Sequence, residues 1–99
     1  MMWDSILGDI KHASHAIRPR ATVDGYLFGS SLKDNSNWSD IDVLVVCHDR
    51  NDAPKVRPAF ASLCADVPID LLVMSQDEEV ELDFVRTQGC KLIFTCDFA

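Results

Sequence analysis

No two cysteines in this chain fall at the C-x-x-C spacing that zinc ribbons and thioredoxin-type redox sites need; Cys47, Cys64, Cys90 and Cys96 are scattered. Three of the four lie among apolar neighbours and read as small buried hydrophobes with reduced thiols. Long apolar runs are lacking as well. The longest spans a handful of residues, far short of the roughly 20 that cross a bilayer, so no membrane association is expected. Met1-Met2-Trp3-Asp4 shows no basic stretch leading into a long apolar core, so a secretory leader is not expected and the cytoplasm is the default location. Positive charge is scarce: nine Lys and Arg stand against sixteen Asp and Glu, a net charge of -7. Holding a nucleic-acid backbone takes a basic face, so direct nucleic-acid binding is not expected. Such a balance suits metal-bridged phosphate or a basic protein partner. Internal repeats, low-complexity segments and interdomain linkers are absent too.

What is present is enough for one core. Ninety-nine residues, 47% hydrophobic and 25% charged, predict a single soluble domain over residues 1–99. Trp3, Ile6, Leu7, Ile10, Ala13 and Ile17 recur at helical spacing, and Pro19 ends that helix near Arg18. Residues 22–28 read as a strand, with Val23, Gly25 and Leu27 on one face and Tyr26 and Phe28 on the other. The polar stretch 33–39 reads as a loop, and 41–47 as a strand covered on both faces. After a polar connection over 48–52, Pro54 opens a helix whose stripe is Val56, Ala59, Phe60 and Leu63. Residues 68–74 form a third strand. Ser75 and Glu78 then have capping-box spacing, ahead of a helix that carries Val80 and Phe84 inward, reaches Arg86 and stops at Gly89. A last short strand covers 91–95. The fold class predicted is α/β, a small mixed β-sheet with flanking helices.

The chemistry lies in three carboxylates. Asp40 and Asp42 open the second strand and point to one face, roughly 6.5–7 Å apart along the backbone. Asp70 interrupts the apolar run of the third strand, on the face of Leu72 and Met74. Anions in apolar strands repel one another unless a cation collects them, and oxygen ligands beside a phosphate suit Mg²⁺. If the two strands are neighbours, the trio can hold a pair of metals about 3.5–4 Å apart, the arrangement of in-line phosphoryl or nucleotidyl transfer. Upstream, the first strand breaks at Gly29-Ser30, where the backbone can approach a phosphate and Ser can donate to it. Lys33 adds a positive charge.

A strand ending in Gly29-Ser30, then Asp40-x-Asp42 at a strand start, then a later lone strand Asp70, resembles the nucleotidyltransferase superfamily of the polymerase beta type. The short length makes the chain similar to its minimal nucleotidyltransferases (MNT proteins), and the closing Gly89-Cys90-Lys91-Leu92-Ile93-Phe94 resembles that group's usual ending. The resemblance covers essentially the whole chain. It implies a polymerase beta-like nucleotidyltransferase fold. Gly29, Ser30 and Lys33 would contact the triphosphate of ATP, Asp40 and Asp42 would bind two Mg²⁺ ions, and Asp70 would complete the metal site and help deprotonate the acceptor hydroxyl. It further implies the antitoxin of a type VII toxin–antitoxin system, which silences a HEPN-type toxin by transferring AMP to a toxin tyrosine. Two alternatives stay open: an antitoxin that neutralises its partner by contact, and a small-molecule nucleotidyltransferase. The pattern departs at Ser31, where many minimal members carry Arg, and at Asp34, where they carry Gly; both point to weaker or partner-assisted phosphate binding.

The remaining polar features read as structural. His12 and His15 share a helix face without a third ligand nearby, Trp38 reads equally as a loop anchor and as a base-stacking ring, and the acidic run 77–81 reads as a helix start on the surface.

Overall fold

A strand buried on both faces must lie inside a sheet, and β2 (Ile41–Cys47), nearly all apolar, does so. The computed structural model describes residues 3–14, 22–29, 41–66 and 68–96. Its four-stranded sheet has the order β3-β2-β1-β4, with β1 at Val23–Phe28, β3 at Ile69–Ser75 and β4 at Lys91–Cys96. β1 runs antiparallel to both β2 and β4, whereas β2 and β3 are parallel. A parallel pair needs a crossover. Helix α2 (Ala53–Asp66) supplies it, entered through a 3₁₀ turn over Arg50–Asp52. Helix α1 (Trp3–Ser14) packs against α2 and β4. No helix among the described residues is long and apolar enough to cross a membrane.

The strand period sorts side chains to two faces. On one, Val23, Leu27, Ile41, Val43, Val45 and Leu71 meet Ile10 of α1 and Val56 and Phe60 of α2, forming the main core. Ala59 and Leu63 complete the expected stripe of α2. Pro54 is the second residue of that helix, whereas Pro58 sits inside it and removes one backbone hydrogen bond. Cys47 belongs to this core. Burial, helped by Asp52, pushes its thiol up to about 11, so it stays protonated and unreactive.

Leu44, Val46 and Met74 start the second, smaller cluster on the opposite face, with Tyr26, Phe28, Leu72, Phe84, Val85 and Cys90 around them. The element that covers this face differs from the expected continuous helix. It is two pieces, α3 (Gln76–Leu82) and α4 (Phe84–Thr87), hinged at Asp83 in the left-handed region with φ 52°. Val80, expected inside with Phe84, is 71% exposed. The reason is the break: a spacing of four aligns two residues only on an unbroken helix. The start of α3 is as expected. Buried Ser75 accepts from the Glu78 N–H (3.2 Å), and the Glu78 carboxylate accepts from the Ser75 N–H (3.1 Å). Gly89, at φ 61°, ends α4.

Gly25 shows how tightly the main core is filled. The Phe94 ring stands where a β-carbon at position 25 would be, and the β1–β4 register shifts just after it. Gly25→Ala should displace that ring and lower stability by about 1–3 kcal/mol, a fall in Tm of roughly 5–20 °C by thermal denaturation. An unchanged Tm would mean that the ring has somewhere else to go.

Candidate functional site

The carboxyl end of β1 and the amino ends of β2 and β3 lie together at one end of the sheet. Here Asp42 is the register partner of Asp70 across the parallel pair, and of Phe28 across the antiparallel one. Register partners project to the same face, so Phe28, Asp42 and Asp70 form one rung over three strands spaced about 4.8 Å apart. That face is the one built by Leu44, Val46, Leu72 and Met74 further along. Asp42 is half-buried and Asp70 exposed. Like charges placed directly opposite each other destabilise a sheet, which is the physical reason to look for a cation at this rung. An all-oxygen donor set fits a hard divalent ion such as Mg²⁺.

Gly29 closes the rung on the β1 side. Its φ of 77° lies in the left-handed region, and a β-carbon there would collide with Oδ2 of Asp42. The sequence suggests a glycine that lets a phosphate approach; the structure adds that this glycine makes room for the carboxylate itself. Ser30, Lys33 and Asp40, the other expected site residues, lie outside the described residues, as do His15 and Trp38. Among the described residues no group of three His, Cys, Asp or Glu side chains gathers that could hold a metal ion; Asp42 and Asp70 are the described members of the expected trio.

The neighbours of the rung are apolar. The Phe84 ring meets Phe28 edge to face, with centroids 5.2 Å apart and planes at 88°. Strand alternation puts Phe28 on the face of β1 opposite Leu27, a signal present in the sequence, and the β1–β2 register makes that the Asp42 face. Nothing in the sequence marks the hinge that delivers Phe84. One rung deeper lies Tyr26, register partner of Leu44. Its phenol is raised above its ordinary value by burial first and then by Asp24, Glu79 and Cys90, so it stays protonated and cannot serve as a base at neutral pH.

The opposite end of the sheet holds pairings of another kind. His48, without a role in the sequence reading, lies 3.0 Å from Asp24, and Arg50 donates to Asp77 at 3.2 Å. Ligands of open α/β sheets usually settle at the carboxyl ends of parallel strands, which is this end. The paired carboxylates are at the other.

No protein-family model matches the sequence, and no curated protein matches it. Solved structures do resemble it. A chain from the tri-AMPylated Shewanella oneidensis HEPN toxin in complex with MNT antitoxin superposes with a TM-score of 0.56 at 23% identity, over 94% of this chain and 72% of that one. A toxin–antitoxin structure with AMP-PNP gives a TM-score of 0.55 at 23% identity, over 89% and 72%. A mutant of the toxin–antitoxin MntA–HpeT, in which two aspartates two positions apart are glutamates, gives 0.56 at 22%, over 89% and 71%. The shared property is the fold: the mixed four-stranded sheet and its flanking helices match chains of these toxin–antitoxin structures.

Proposed function

We propose that this chain is a Mg²⁺-dependent nucleotidyltransferase, a single domain over residues 1–99 acting in the cytoplasm, that moves AMP from ATP to a tyrosine hydroxyl of a HEPN-type toxin and so acts as its antitoxin. The observation that carries the reading is the rung: Asp42 and Asp70 side by side on parallel strands, with Gly29 shaped around Asp42. The fold likeness to a tri-AMPylated HEPN toxin in complex with MNT antitoxin, and to a toxin–antitoxin structure with AMP-PNP, supports the same reading.

Asp40, Asp42 and Asp70 would hold two Mg²⁺ ions, which, when bound, neutralise the triphosphate and the charge that develops during in-line transfer. Gly29 and Ser30 offer backbone N–H groups to the phosphates, and Lys33 a cation. Asp70, the exposed member of the pair, would take the proton of the attacking hydroxyl. The acceptor oxygen bonds to the α-phosphorus as the bond to pyrophosphate breaks, leaving an AMP ester, pyrophosphate and the proton on Asp70.

The test mixes the purified chain with Mg²⁺, ATP labelled in the adenosine moiety and a HEPN-type toxin as the candidate partner. Label on the partner is the expected outcome, accompanied by loss of its ribonuclease activity. A partner neutralised without any label would replace catalysis by contact.

A further inference from the structure

The hinge between α3 and α4 is tied by hydrogen bonds from both helices. Asp83 occupies the left-handed region, which costs a residue with a β-carbon about 1–2 kcal/mol. Four groups hold it there. The Glu79 carboxylate accepts from the Val85 N–H at 3.2 Å, and the Glu79 carbonyl accepts from the Asp83 N–H at 2.7 Å. Arg86 Nε donates to the Asp83 carboxylate at 2.6 Å, and Thr87 Oγ1 to the Asp83 carbonyl at 2.8 Å. Backbone strain persists only where its surroundings over-determine it, and it gathers near functional sites. What this hinge places is the Phe84 ring, edge-on against Phe28.

Phe28 sits at a junction. It is the register partner of Asp42, and it immediately precedes Gly29, the residue whose turn makes room for the Asp42 carboxylate. We propose that Phe84 is a positioning residue: it clamps the Phe28 ring, Phe28 fixes the Gly29 turn, and that turn fixes the Asp42 carboxylate in the orientation that binds a divalent cation. The route runs through contiguous packed groups from a helix hinge to a carboxylate, and Phe84 itself touches no substrate. It rests on the reading of Asp42 as a metal ligand and deepens it, because it names what sets that ligand's orientation. Outer groups that orient metal ligands commonly change affinity by about 10–100-fold when removed.

The experiment measures Mn²⁺ binding to the full chain by titration calorimetry, without nucleotide, for the parent and for Phe84→Leu, Phe84→Tyr and Val85→Ala. Leu keeps apolar volume but loses the ring edge; Tyr keeps the ring; Val85→Ala thins the same apolar cluster without touching the Phe28 contact. Weakening by about tenfold for Phe84→Leu, with parent-like affinity in the other two, is the expected pattern. Circular dichroism at the titration temperature confirms that each variant is folded, and should Phe84→Leu not fold, Phe84→Met takes its place. Parent-like affinity in Phe84→Leu, or equal weakening in Val85→Ala, overturns the positioning role while leaving Asp42 as a ligand. A parent that binds no Mn²⁺, or that binds it unchanged after Asp42→Asn, overturns both.

Discussion

Asp42→Asn is expected to lower AMP transfer by about a thousandfold or more while the protein keeps its fold, because the loss falls on several kcal/mol of charge stabilisation supplied at the transition state. The substitution keeps shape and removes one negative charge, so packing of the half-buried side chain beside Gly29 is preserved. In the parent, Asp42 and Asp70 oppose each other across parallel strands, a like-charge arrangement that weakens a sheet when no cation is present. Metal-free stability is therefore expected to stay within about 4 °C in Tm of the parent. Mg²⁺ should separate the two proteins: raising its concentration stabilises a parent that binds it only when folded and leaves the variant where it was. Thermal melts with and without Mg²⁺, alongside label transfer, read both effects. A large fall in metal-free Tm would mean that Asp42 is structural first.

Gly29→Ala should be the second most damaging change, for two reasons that can be separated. A β-carbon at φ 77° costs about 1–2 kcal/mol of backbone strain, and that same β-carbon meets Oδ2 of Asp42. The strain alone lowers Tm by about 5–15 °C, and moving the carboxylate lowers transfer by about a hundredfold. Gly89→Ala is the matched control. Gly89 also has a positive φ, 61°, but a β-carbon there meets nothing within 4 Å. It should show the same kind of stability loss with the transfer rate preserved. Equal rates for the two variants at a temperature where both are folded would remove the special role of position 29.

Much of this architecture is written in alternation and spacing. The apolar run 41–47 identifies an inner strand without reference to anything else, and Val23, Gly25 and Leu27 sort to the core face as the period of two demands. Ser75 and Glu78 announce the start of α3 through chemistry that is local in sequence, so no tertiary knowledge is needed. The adjacency of Asp42 and Asp70 is different. Alternation puts each on a face of its own strand, but strand order and register come from the crossover through α2 and from the filling of two cores. Resemblance to a known family suggested that adjacency; periodicity could not. The hinge at Asp83 was illegible for a physical reason. No Gly or Pro stands there, Val80 and Phe84 have the spacing of a continuous helix, and the break depends on bonds from Glu79, Arg86 and Thr87 that exist only once the chain has turned.

The most direct measurement counts bound Mn²⁺ by electron paramagnetic resonance in the presence of a non-hydrolysable ATP analogue, for the parent and for a variant carrying both Asp42→Asn and Asp70→Asn. About two ions per parent chain, and none held tightly by the variant, is the predicted result. Equal ion counts in the two proteins would show that this rung of the sheet does not hold the metals.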